Sequence, residues 1–267
     1  MSALSPPAAL SSLVSATSYS ALRPRSFAVL WHGVLALAFE GWTAPLLQLK
    51  EQLNERAVAE WGLRAENSGS TWPKVSLGCL REERTLTLEQ LRALMQLMRR
   101  YEAAIAAHAW RLRVRMLSAV VYSCRSLECL LMKQELPLSA KSNSSEPSHS
   151  VADESPAVAR SAARVSGVLA ELSEATAELY LLEVNKPGGR LEHYVTGAYK
   201  DSTLVAFLTT NADEESDAAG ESTAADYNGA AFLPSFLRDF QRDVDQLLPG
   251  YYHFFAPGSL HCTIRAL

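Results

Sequence analysis

The chain has 267 residues, 48% of them hydrophobic, enough to bury one substantial core or two small lobes. Its formal net charge of −4 excludes a bulk electrostatic grip on duplex nucleic acid, yet leaves room for a pocket that takes one nucleotide or RNA end. No segment reaches the roughly 20 consecutive apolar residues of a membrane span.

The first 39 residues contain no Asp or Glu, are rich in Ser and Ala, and carry charge only at Arg23 and Arg25. That composition predicts an organellar transit peptide over residues 1–27, for a chloroplast rather than a mitochondrion, or else a disordered tail on a cytoplasmic protein. Residues 34–39 (VLALAF) then read as a strand stopped by Gly41. A helix follows over 45–55, with Leu46, Leu49 and Leu53 at helical spacing. After a polar turn at 66–70, residues 72–77 form a second strand ended by Gly78. Thr87 and Gln90 have capping-box spacing and open a long helix with Leu91, Leu94, Met95, Met98 and Ile105 on its buried side. Residues 114–124 are a strand and 126–131 the start of a short helix. A helix over 165–182 runs into a strand-like stretch at 180–184, and 186–190 is a turn.

The order then recurs. Residues 203–208 are a strand, and 233–248 a helix with Phe236, Phe240, Val244 and Leu247 on one stripe. Pro249-Gly250 stops that helix, and Pro257-Gly258 turns the chain into a strand over 260–266. Two tracts, the Ser/Pro-rich 139–156 and the acidic 211–229, hold too little apolar surface to offset the entropy of ordering and read as disordered insertions. The sum is an α+β protein: one domain over 28–267, two-lobed, with a mixed sheet built from two β-α-β-containing halves.

Cys79, Cys124, Cys129 and Cys262 form no C-x-x-C pair and lie in or near apolar runs, which predicts reduced thiols and no metal site. The chemistry-bearing pattern lies in the strands. In an extended chain, residues two apart share a face, so His261 and Thr263 point one way and Cys262 and Ile264 the other. An imidazole beside a hydroxyl can handle a proton and hold an oxyanion. Lys74-Val75-Ser76-Leu77 repeats the pattern in the first half: a basic residue, one residue, a hydroxyl residue, an apolar one.

The segments APGSLHCTIRAL and WPKVSLGCLREERTLTLEQLRALMQLM resemble the motif strands of the 2H phosphoesterase superfamily. That superfamily includes RNA 2′,5′-ligase-like proteins and cyclic nucleotide phosphodiesterases. Its two lobes each contribute an H-x-T or H-x-S strand to a central cleft, where two imidazoles act as acid and base on a cyclic phosphate. The resemblance implies a metal-free and cofactor-free site for a nucleotide or RNA-end phosphate. His261 would be the acid/base, Thr263 and Ser76 the hydroxyls on phosphate oxygens, and Lys74 would stand in the second histidine position. A lysine with an ordinary pKa near 10.4 is an electrostatic clamp and not a base at pH 7.

Arg265, two residues beyond Thr263, is expected to share that face and bind an anionic group, with Arg190 as the alternative. His193 is the first substitute for a missing base and His253 the second. The aromatic run at 251–255 serves core packing or the stacking of a nucleobase. Other readings stay open: a non-catalytic binding module of the same fold, or an interaction protein in which His261 is a structural histidine, Lys74 a solvated edge lysine, and the insertions the working parts.

Overall fold

The computed structural model describes residues 8–62, 65–66, 68–108, 110–140, 155–196, 200–208 and 229–267. Among them are seven helices and ten strands, and eight of the strands form one antiparallel sheet.

The chain starts with α1 (Ala8–Ala16), which buries Leu10 and Val14. β1 (Ser20–Leu22) follows, then β2 (Pro24–Val29) and β3 (Leu35–Phe39). Residues 8–27 of the segment expected to be a leader thus form α1, β1 and the start of β2. Phe27 of β2 stacks on Phe240 at 3.8 Å, with Tyr101 edge-on at 5.7 Å.

Helix α2 (Ala44–Ala59) begins with Pro45 in its first turn, where the missing N–H costs nothing. β4 (Lys74–Leu80) is followed by α3 (Leu88–Ala107), whose Thr87/Gln90 capping box is formed as expected. All five predicted inner residues of α3 are buried. Next come β5 (Leu112–Val114), which pairs with β1 in a separate two-stranded sheet, then β6 (Met116–Tyr122) and β7 (Leu130–Pro137). Residues 126–131 are therefore a hairpin tip and not a helix. Leu127 adopts a left-handed φ of 60°, which interrupts any helix, and Leu130 pairs back to Tyr122.

Three helices follow: α4 (Pro156–Glu171), α5 (Ala177–Val184) and α6 (Leu191–Val195). The stretch 180–184 is helical because Ala177, Tyr180 and Val184 bury at three- and four-residue spacing, while Leu179 and Leu182 face outward. β8 (Asp201–Phe207), α7 (Gly229–Leu247), β9 (Tyr252–Phe254) and β10 (His261–Ala266) complete the order. On α7, Phe236, Phe240 and Val244 are buried as expected, but Leu247 is exposed and Leu248 takes the inner place. The expected insertions fall almost wholly outside the described residues; at their margins Ser139 bridges to Ser18, Pro156 opens α4 and Gly229 opens α7.

The large sheet has the order β2-β3-β4-β10-β8-β6-β7, with β9 also on β4. Every pairing is antiparallel, which corrects the expectation of a mixed sheet. The reason lies in the connections. The Phe39 N–H donates to Pro73 O at 3.2 Å, so β4 starts beside the end of β3: α2 carries the chain away and residues 60–73 bring it back. Likewise the Leu208 N–H donates to Leu260 O at 2.8 Å, so β10 starts beside the end of β8. The two strand-helix-strand units exist, and their second strands, β4 and β10, lie side by side at the middle of the sheet.

One large core joins Leu46, Leu49 and Leu53 of α2, Leu91 and Leu94 of α3, and Phe240 and Val244 of α7 to Leu37, Val75, Cys262 and Leu204 of the sheet. A second, small cluster of Val120, Tyr122, Leu127 and Val205, with Phe207 against it, lies on the other face.

Candidate functional site

β4 and β10 meet with Cys262 directly across from Val75. Antiparallel register then sets His261 across from Ser76 and Thr263 across from Lys74, so the four side chains share one face. That face is half-buried, whereas Val75, Leu77, Cys262 and Ile264 on the other are fully enclosed. Neighbouring strands frame it. Ala36 and Ala38 of β3 stand beside Ser76 and Lys74, and both are fully buried. Phe207 and Val205 of β8 stand beside His261 and Thr263. The Phe207 and His261 rings meet edge-on at 6.1 Å.

β9 and β10 run along β4 in the same direction, one after the other, and the chain leaves the sheet between them in a 3-10 turn, Pro257–Ser259. That excursion orients the imidazole. His261 Nδ1 lies 2.7 Å from Ser259 O, and a carbonyl accepts only, so Nδ1 carries the proton and Nε2 keeps its lone pair. Burial lowers the His261 pKa from 6.5 to about 4, opposed only in part by that backbone hydrogen bond. At neutral pH the ring is an uncharged base.

Lys74 is shifted down to about 8, chiefly by burial and further by the charges of Lys50 and Arg164. Its Nζ donates to Gly69 O and lies 4.3 Å from the centre of the Trp72 ring. The ammonium thus shares a face with His261 but is held at the end of the strand by a carbonyl and an indole. The Ser76 hydroxyl hydrogen-bonds the phenol of Tyr194, and burial raises that phenol's pKa. Tyr194 stacks on Phe255 at 5.1 Å, and Phe255 has His253 as its ring neighbour at 6.3 Å.

The structure brings together His261, Thr263, Lys74 and Ser76. It does not bring Arg265 or Arg190 to them. The ladder between β10 and β8 shifts register between Thr263 and Arg265, and this bulge turns Arg265 off the shared face. Its buried guanidinium donates from Nε to Asn54 Oδ1 of α2 at 2.6 Å. Arg190 is also enclosed; its Nη1 donates to Arg84 O at 2.8 Å and its Nη2 to Val184 O at 3.4 Å, a strut between loops. His193 precedes Tyr194 on α6, at the margin of the face. Its pKa is lowered by burial and by the charges of Arg125 and His32.

Sequence reasoning did not place Tyr194, Phe207 or Ser259 beside the motif residues, whereas Phe255 lies in the aromatic run expected to pack or to stack on a base. Phe207 left a trace as an aromatic ending a strand; Ser259 belongs to the turn two residues before His261, and Tyr194 comes from packing of a distant segment. A cavity of about 300 Å³ lies elsewhere, between β2, α3 and α4. Among the described residues no group of three or more His, Cys, Asp or Glu side chains is placed to hold a metal ion, and no helix is long and apolar enough to cross a membrane.

The chemical content of the face is a neutral imidazole, an ammonium and two hydroxyls. Such a set can take a proton from water, donate one, and hold anionic oxygen. Compared with known proteins, the chain matches no protein-family model, no curated protein and no solved structure.

Proposed function

We propose that this face binds a phosphodiester at a nucleotide or RNA end, a 2′,3′-cyclic phosphate in particular, and hydrolyses it without a metal, in the manner of a divergent 2H phosphoesterase. His261 Nε2 takes a proton from the attacking water. The water oxygen bonds to phosphorus as one ring P–O bond breaks, and Lys74 gives its proton to the leaving ribose oxygen. Thr263 and Ser76 donate hydrogen bonds to the non-bridging oxygens, whose charge grows as phosphorus becomes five-coordinate. The tautomer of His261 leaves Nε2 free to accept a proton, and the lowered pKa of Lys74 brings an acid toward neutral pH.

The observation that carries the reading is the register of Cys262 with Val75, which aligns both strand motifs on one face. The test is turnover of a 2′,3′-cyclic nucleotide by the wild type, His261→Ala and Thr263→Ala. A loss of about 100-fold or more in His261→Ala supports it; equal activity in all three refutes it.

A second reading is favoured by the anchoring of Lys74 to Gly69 O and Trp72. Held there, Lys74 would hold an anion without reaching a leaving group, and the protein would bind nucleotide ends without turnover. Affinity in the micromolar range that vanishes in Lys74→Met, with no product from the wild type, would select it.

A further inference from the structure

Two of the four thiols are neighbours at the tip of the β6–β7 hairpin. Past the Tyr122–Leu130 pair the chain turns through residues 123–129. Cys124 is buried and Cys129 is exposed, and both are free thiols. The Cys129 N–H donates to Cys124 Sγ at 3.1 Å, and Ser126 Oγ lies 3.4 Å from the same sulfur. The two thiols also hydrogen-bond one another. Between them Leu127 takes its left-handed backbone conformation and buries its side chain in the small cluster with Val120 and Val205. The turn is thereby wound tightly enough to hold an outer and an inner sulfur in reach.

We infer that Cys124 and Cys129 are a reversible redox pair, closed by exchange with a low-molecular-weight disulfide such as oxidised glutathione. Cys129, the accessible thiol, attacks first as its thiolate. It forms a mixed disulfide and expels one glutathione thiolate. Cys124, deprotonated in turn, attacks Cys129 Sγ, forms the intramolecular bond and expels the second. Two protein thiols and one glutathione disulfide become one protein disulfide and two reduced glutathiones. The adjoining Cys124 sulfur and, less strongly, Glu128 keep Cys129 protonated, so the exchange quickens as pH rises.

Cys79 and Cys262 are buried, with burial pushing each thiol up to about 12, and they remain reduced. The pair is placed to be felt beyond the tip. The Ser126 N–H donates to Tyr194 O at 3.0 Å, and Glu128 Oε1 accepts from the Ala256 N–H at 2.7 Å. The tip thus touches both α6 and the turn that orients His261.

The experiment treats the full chain with oxidised glutathione at about pH 8, blocks remaining thiols, and maps the peptides by mass. The expected result is a loss of two hydrogens, two of the four thiols protected, and a Cys124–Cys129 link that reduced glutathione reopens. Cys124→Ala should trap one glutathione on Cys129. If that buried substitution prevents folding, the exposed Cys129→Ala decides instead, by leaving Cys124 unmodified. A wild type that stops at one stable glutathione adduct, keeps all four thiols, or links another pair overturns the inference.

Discussion

Cys262 stands directly across from Val75, and this one contact decides the chemistry of the sheet. A slip of one residue would carry His261 and Thr263 into the helix-packed core and expose Cys262 and Ile264 in their place. The register is held because Val75, Leu77, Cys262 and Ile264 are all fully buried. Hydrophobic packing on one side thus aligns polar groups on the other.

The imidazole of His261 should make stability depend on acid. Burial sets its folded pKa at about 4, below its ordinary 6.5. The folded protein keeps the ring neutral while the unfolded chain protonates it. Its contribution is therefore intact above pH 6.5 and lost as pH falls to about 4. Urea denaturation should show the wild type losing ~2 kcal/mol more than His261→Gln between neutral and that acid limit. Parallel pH slopes for the two proteins would count against it.

Lys74 carries a prediction of the same sign in a more alkaline window. With a folded pKa of about 8 against an ordinary 10.5, it is charged at neutral pH and loses its proton in the folded state first. Binding of a cyclic nucleotide should weaken about tenfold above pH 8, measured by titration calorimetry. Stability should rise across pH 8 to 10.5, where the unfolded chain binds more protons. Lys74→Met should abolish both trends; their persistence in that variant would remove the lysine from the site.

Lys50 of α2 is buried, and its Nζ donates to Glu66, to Ser70 O at 3.0 Å and to Ile264 O. Glu66 in turn accepts from Asn54 at 2.7 Å, and Asn54 accepts from Arg265. Removing one charge strands the others. Lys50→Met should cost about 3–5 kcal/mol, and adding Glu66→Gln should recover part of it. Chemical denaturation of the single and double variants measures both, and strict additivity would disprove the coupling.

Phe27 distinguishes a folded N-terminal segment from a dispensable one. Phe27→Ala should cost about 3–5 kcal/mol, since the ring is buried against Phe240. A chain that starts at residue 28 should show no cooperative thermal transition by circular dichroism. A sharp transition near the wild-type temperature would instead show that β2 is expendable.

Local signals in the sequence were strong where one element decided them. The capping box at Thr87 and Gln90, the inner stripe of α3 and the i, i+2 sharing of His261 with Thr263 are properties of a few adjacent residues. The face of Arg265 was not legible, because the bulge after Thr263 depends on how β10 meets β8. Strand direction was lost for a similar reason: a helix between two strands suggests a parallel pair until the return of residues 60–73 is known. Composition alone did not show that residues 8–27 carry α1, β1 and the start of β2. Tyr194 reaches the site only through tertiary packing. Ser259 acts through the local turn two residues before His261, and its carbonyl's hydrogen bond to the ring left no side-chain pattern to find.

Strand β10 follows every other described strand along the chain, yet it is seated between β4 and β8. Without β10, the strands β2-β3-β4 and β8-β6-β7 would face each other with unpaired inner margins. Those margins are sites for mispairing with a second nascent chain. Pairing of this one short ribbon with both margins joins the two parts of the sheet and creates the polar face at once.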